Sequence, residues 1–146
     1  VIFNTRATNF VPNDTNNVID IIARSFSYPE VTLEQAPNQP DTTVDSPINF
    51  TATFTKPIDT ATFDGSDVLL GGTAGPNTAA VTEIAPHDGT TFNVAVSGMS
   101  AYGTITASIP PGVVDDSEGY LNAASTSTDN EVMYVHTILT FPLFFH

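Results

Sequence analysis

The stretch Pro47 to Thr55, P-I-N-F-T-A-T-F-T, constrains this chain more than any other. Ile48, Phe50, Ala52 and Phe54 alternate without a break against Asn49, Thr51, Thr53 and Thr55. A period of two puts apolar side chains on one face and polar ones on the other, which is the geometry of a half-buried strand. The same alternation returns at Phe92–Ser97 and Thr104–Ile109, and no segment shows a comparable helical period. Half-buried antiparallel strands direct the search for function to surfaces, edges and end loops, away from a deep α/β cleft.

Turn chemistry divides the rest of the chain. Residues 1–28 form a distinct N-terminal segment, with short strands expected at Val1–Phe3 and Val18–Ala23. Between them lies the turn-forming run Pro12–Asn17. After Pro29, strands are expected at Val31–Gln35, Ile48–Thr55, Val68–Leu70, Ala79–Ile84, Thr91–Ser97, Gly103–Ile109 and Glu131–Val135. Phe63–Asp67 reads as a helical turn, and Pro86–Gly89 as a corner loop. About seven short strands at this spacing predict an all-β chain, an Ig-like antiparallel sandwich over 29–135, with an apolar tail at 136–146. The expected core is Val31, Leu33, Ile48, Phe50, Phe54, Phe63, Val68, Leu70, Phe92, Val94, Val96, Ile105, Ile109, Val132 and Tyr134. The crossover 110–130 is expected to be ordered, with Val113, Val114, Leu121 and Ala123 tucked into the sandwich end.

Charge removes several functions. Arg6, Arg24 and Lys56 are the only cations against 16 acidic residues, a net charge of −13. Nucleic acid needs Lys and Arg on its phosphates, and anionic membranes select against such a surface. No run is long and apolar enough for membrane insertion. Cysteine is absent, so neither disulfides nor thiolate zinc sites can form. The chain opens on Val1, with no basic and apolar leader pattern. It therefore reads as a chain whose leader has been removed, or as a piece of something larger.

The strand segments also resemble the bacterial Ig-like repeats of giant surface adhesins and biofilm-associated proteins. The resemblance rests on V-T-L-E-Q-A (31–36), S-P-I-N-F-T-A-T-F-T-K-P (46–57) and F-D-G-S-D-V-L-L-G-G-T-A-G (63–75). It continues in T-F-N-V-A-V-S-G-M (91–99), G-T-I-T-A-S-I-P-P-G (103–112) and N-A-A-S-T-S-T-D-N-E-V-M-Y (122–134). It implies the sandwich fold and an extracellular place on a bacterial cell surface, in a family whose modules are mostly spacers. Separately, A-T-N-F-V-P-N-D-T-N-N-V-I-D-I-I-A-R (7–24) resembles part of one blade of TolB-like propeller repeats.

Candidate chemistry is sparse. Asp115, Asp116 and Glu118 put three carboxylates within four residues, and Asp129 could converge on them at the sandwich end. Hard oxygen ligands of this kind suit calcium. The alternative is a solvated acidic turn, and Tyr120 stands where the family's D-x-x-G-N loop has Asn. Asp14, Asn16 and Asp20 form a second oxygen-rich set better suited to Asx turns. His87, His136 and His146 lack metal-ligand spacing, and no G-x-S-x-G elbow occurs, so no enzyme is expected. Lys56 is the only lysine. An internal Lys–Asn isopeptide bond, as in some surface Ig-like domains, would need it buried beside an Asn and an acidic residue, whereas its place before Pro57 at a strand end predicts exposure.

The tail carries Ile138, Leu139, Phe141, Leu143, Phe144 and Phe145, which should not stay exposed. With Val1 and Phe3, these residues are the expected assembly elements. Strand addition to a neighbour would satisfy both their backbone and their side chains. The leading expectation is a structural subunit or module of a surface filament or adhesin that self-associates or joins neighbouring domains by strand exchange. The alternatives are a ligand-binding adhesive module, or an accessory domain of a larger secreted protein.

Overall fold

The alternating segments become strands. The computed structural model describes residues 2–5, 20–23 and 27–137. In chain order the strands are β1 (Ile2–Thr5), β2 (Asp20–Ala23), β3 (Val31–Gln35), β4 (Thr42–Thr43) and β5 (Ile48–Phe54). They continue with β6 (Leu69–Gly71), β7 (Thr78–Glu83), β8 (Thr91–Ser97), β9 (Gly103–Ser108) and β10 (Glu131–Tyr134). Single 3-10 turns at Thr60–Thr62 and Gly65–Asp67 lie between β5 and β6.

β1 and β2 pair with each other as an antiparallel ribbon, Phe3 opposite Ile22. The other strands form two four-stranded sheets, β3-β5-β8-β7 and β4-β10-β9-β6. This is the immunoglobulin order, A-B-E-D against C-F-G. β4 has crossed to the second sheet, where it runs parallel to β10. Every other pairing of these strands is antiparallel.

The core follows from the pleat. Ile48, Phe50, Ala52 and Phe54 are buried on β5, and Phe92, Val94 and Val96 on β8. Register sets Phe50 beside Val94 and Ala52 beside Phe92. From the second sheet, Ile105, Ala107 and Val132 close the interior. Phe54, Phe63 and Phe92 meet edge to face in a triangle with centroids 5.3–5.8 Å apart. Burying each such side chain stabilises the fold by roughly 1.5–3 kcal/mol, without disulfides.

Four details depart from the sequence reading. Leu70 and Tyr134 are only partly buried, because β6 is a three-residue edge strand and Tyr134 ends β10 at the rim. In the 110–130 crossover Val114 is buried, but Leu121 is 50% exposed and Ala123 is also exposed. The crossover is anchored by backbone hydrogen bonds, so it needs fewer apolar contacts. β4 has no counterpart among the expected strands, since two residues among Pro37, Pro40, Asp45 and Pro47 show no periodicity. Ala52, Ile58, Ala74, Ala107 and Val114 join the core.

Strand direction gives the sandwich two poles. The chain arrives at Tyr28–Glu30, where β3 starts beside the end of β5. It leaves through β10, which runs parallel to β4 and carries Val135 to a hydrogen bond with Thr43. Arrival and departure therefore lie at opposite ends, here called the N-terminal and C-terminal poles.

Candidate functional site

The N-terminal pole concentrates the polar structure of the molecule. β5 ends at Phe54, and the chain then bends through Lys56 and Pro57 so that Ile58 is buried. Ile58 donates to the Gly89 carbonyl (2.9 Å) and Asp59 to the Asp115 carbonyl (2.9 Å). The acidic loop is thereby pinned against the end of β5. Asp115 is further held by its N–H, which donates to Thr62 Oγ1 at 3.2 Å.

Within that loop Asp116 makes an Asx turn. Its Oδ1 accepts from the backbone N–H of Glu118 (2.8 Å) and of Tyr120 (3.0 Å). Gly119 takes the left-handed conformation, φ 82°, that lets the loop close. The Asp116 carboxylate is fully buried, and its Oδ2 lies 2.6 Å from Lys56 Nζ. Glu118 Oε2 is 3.5 Å from the same nitrogen. Lys56 Nζ also donates to the Ser27 carbonyl (3.3 Å) and lies 5.7 Å from the centre of the Tyr120 ring. Tyr120 in turn meets Tyr28 edge to face.

Lys56 thus joins three parts of the chain: the incoming segment at Ser27, the end of β5, and the crossover loop. Its ammonium stands among three oxygens, those of the Asp116 and Glu118 carboxylates and the Ser27 carbonyl. The Lys56 hydrogen bond and charge hold the Asp116 carboxyl below its ordinary value. Reciprocally, the hydrogen bond to Asp116 pushes the Lys56 amine above its own. Pro29 is buried beside this clasp, and its carbonyl accepts from Ala123 N–H at 2.9 Å.

The four expected calcium ligands do not converge. Asp116 is engaged by Lys56 and two backbone N–H groups, while Asp115 and Glu118 flank it. Asp129 lies at the far end of β3, where its carbonyl accepts from Gln35 N–H. That is roughly 16 Å of strand from Glu30. Among the described residues, no group of three or more His, Cys, Asp or Glu side chains is arranged to hold a metal ion. The carboxylate at the centre of the calcium expectation, Asp116, faces the Lys56 ammonium of the chain itself. The expectation that Lys56 is exposed is corrected: its side chain retains only 26% exposure.

Two further side chains organise the region. Asn122 is buried and satisfies four backbone groups. Its Oδ1 accepts from Val113 and Val114 N–H, both at 2.9 Å, and its Nδ2 donates to the Pro110 (2.9 Å) and Ala123 (2.8 Å) carbonyls. Glu34, on the outer face of β3, accepts from Thr128 and Asp129 N–H and from the Ser127 and Thr128 hydroxyls. The Thr128 N–H contributes most to holding its carboxyl below the ordinary value. Neither residue shows itself in a pattern, since a lone Asn in a loop and a lone Glu on a wet strand face look like ordinary surface.

The assembly residues Val1, Ile138, Leu139, Phe141, Leu143, Phe144 and Phe145 lie outside the described residues, as do Asp14 and Asn16. Phe3 and Asp20 fall on β1 and β2. His87 and His136 are exposed and stand on different loops. At the C-terminal pole, Tyr102 stacks on Tyr134 (5.6 Å, 28°) and meets His136 edge to face.

No protein-family description matches the chain. No curated protein matches it. Among solved structures, it is similar to the N-terminal part of the bacterial S-layer protein SbsC. That similarity has 22% identity and a TM-score of 0.46 over 74% of this chain and 24% of that one. The chain therefore spans about a quarter of that structure.

Proposed function

We propose that this chain is a non-enzymatic structural module of a bacterial cell surface, joined in series to its neighbours through its two poles. The observation that carries this reading is the polar arrangement. The chain arrives at one end of a rigid sandwich and departs at the other, with the arriving segment fastened by Lys56, Tyr120 and the Pro29 carbonyl. A linker held this way transmits orientation and force from the preceding segment into β5 and the crossover.

The acidic, cysteine-free surface suits an extracellular setting. Joining to neighbours proceeds by strand exchange through residues 137–146. A head-to-tail contact of that kind is heterologous and extends into open arrays.

Negative-stain electron microscopy of concentrated protein tests the assembly. Elongated end-to-end particles are expected, and they should disappear when residues 137–146 are deleted while the sandwich remains folded by circular dichroism. Discrete monomers of the intact chain at every concentration would remove strand exchange and leave an isolated or ligand-binding module.

A further inference from the structure

We propose that the outer edge of β7 at Val81–Glu83 is the acceptor for residues 137–146 of a second copy, a proposal that rests on the strand-exchange reading above. Strand addition needs a sheet edge with unpaired backbone groups. The two four-stranded sheets end in β3, β7, β4 and β6. β3 is covered by the crossover through Thr126. β4 and β6 are only two and three residues long. β7 has six residues, T-A-A-V-T-E, with neither the Lys nor the Pro that commonly blunts an edge.

The ladder fixes which of its groups are free. Ile84 N–H donates to the Thr91 carbonyl at 3.0 Å, and hydrogen-bonded pairs alternate along an antiparallel ladder. Thr82 and Ala80 therefore bond to β8, opposite Asn93 and Ala95. The N–H and carbonyl groups of Ala79, Val81 and Glu83 point away from it. The turn at Gly65 closes this edge at Ala79, packed against that carbonyl. Among the described residues, the backbone groups of Val81 and Glu83 have no partner. The Glu83 carboxylate is engaged elsewhere, its Oε1 accepting from Gly89 N–H at 2.6 Å. The Val81 side chain is only partly buried against the core, so an apolar residue laid beside it would extend the interior.

Polarity and sequence select the occupant. Glu83 lies opposite Phe92, which pairs with Ala52 near the end of β5, so the open half of β7 is the half nearer the N-terminal pole. A neighbour stacked head to tail presents its C-terminal pole there, the pole from which its chain departs. Its residues 137–146 would enter beside Glu83, run antiparallel to β7 and stop at the Gly65 turn. They carry the required period, since Leu139, Phe141, Leu143 and Phe145 recur at every second position. Residues that exchange hydrogen bonds with Val81 and Glu83 also share their inward side. With Leu139, Phe141 and Leu143 on that side, Pro142 falls where its missing N–H would have faced solvent. The apolar period and the proline thus select the same side of the added strand.

Hydrogen exchange of the intact chain across concentration tests this. The Val81 and Glu83 amides should exchange fast in dilute monomer and become protected in end-to-end particles, with Leu33 unchanged. Val81→Pro should abolish the particles, because it removes an N–H that β8 does not use. Val81→Lys, which turns a charge inward at the same edge, is the second block, and circular dichroism shows which variant is folded. Particles that need residues 137–146 yet leave these amides unprotected, or that persist in a folded variant, overturn the β7 acceptor and leave strand exchange standing. Absence of particles at every concentration overturns both. Protection already present in dilute monomer also overturns the proposal, because the chain then covers its own edge.

Discussion

At the scale of single residues, stability rests on side chains that replace missing secondary structure. Asn122 serves four backbone groups of a loop that has no ladder of its own. Asn122→Ala would leave buried N–H and carbonyl groups unpaired and should cost about 2–3 kcal/mol. Urea denaturation checks this, with a lower midpoint and an unchanged slope expected. The charged groups add a pH signature whose sign is fixed. Asp116 and Glu34 have depressed folded values, so their stabilisation is present above about pH 4 and is lost as pH falls through their folded values. Lys56 has a raised folded value, so its share is complete below about pH 10.4 and is lost as pH rises further. Urea midpoints across pH should therefore form a plateau that falls at both ends. Lys56→Met should remove the alkaline fall and leave the acid fall of Glu34.

At the scale of elements, the outer edge of β3, an end strand of its sheet, is a vulnerable feature. An unpaired strand edge templates association with other chains. Here the crossover covers it: Thr126 N–H donates to the Val31 carbonyl and Leu33 N–H to the Thr126 carbonyl, each at 3.0 Å. Glu34 holds this cover in place by gripping residues 127–129. Glu34→Ala should therefore speed hydrogen exchange at Thr126, Thr128, Asp129 and Leu33 while β8 amides stay protected. Unchanged exchange at these amides would show that the cover holds itself. The packing of the 3-10 turn on β7 relies on close approach. Gly65 sits so near this strand that a Cβ there would fall 1.9 Å from the Ala79 carbonyl oxygen, so the turn packs only without a side chain. In the core, Phe92→Ala removes one corner of the aromatic triangle and should cost about 3–5 kcal/mol, read from the same urea curves.

At the scale of the whole molecule, charge dominates. Three cations face 16 carboxylates, and one of those cations is used inside the clasp. Self-repulsion disfavours the compact state and is screened by salt, while the buried Lys56–Asp116 pair is screened far less. Raising sodium chloride from low to moderate ionic strength should raise the thermal midpoint. A midpoint that falls would mean that surface ion pairs outweigh repulsion. The same charge opposes non-specific association of separate copies.

The sandwich was legible because alternation is a local property. Ile48 to Phe54 can bury one face only as a strand, and a register slip would turn that whole face to water. β5, β8 and β9 follow from that rule, and turn chemistry between them marked out β3, β6, β7 and β10, with alternation broken in Ala79–Ile84. β4 escaped it because two residues have no period. The clasp escaped for a different reason. Sequence placed an acidic loop at Asp115–Glu118 and counted one lysine at a strand end, some 60 positions away. Nothing local relates them. The pairing appears only when β5 and the crossover meet at the N-terminal pole, where burial turns Asp116 from a solvated carboxylate into one that needs a cation. The chain's pattern alone thus determines that it is a two-layer β protein with an acidic surface. Which of its few cations meets which of its many carboxylates is decided by the three-dimensional meeting of distant loops, because electrostatic partnership depends on distance and burial and not on separation along the chain.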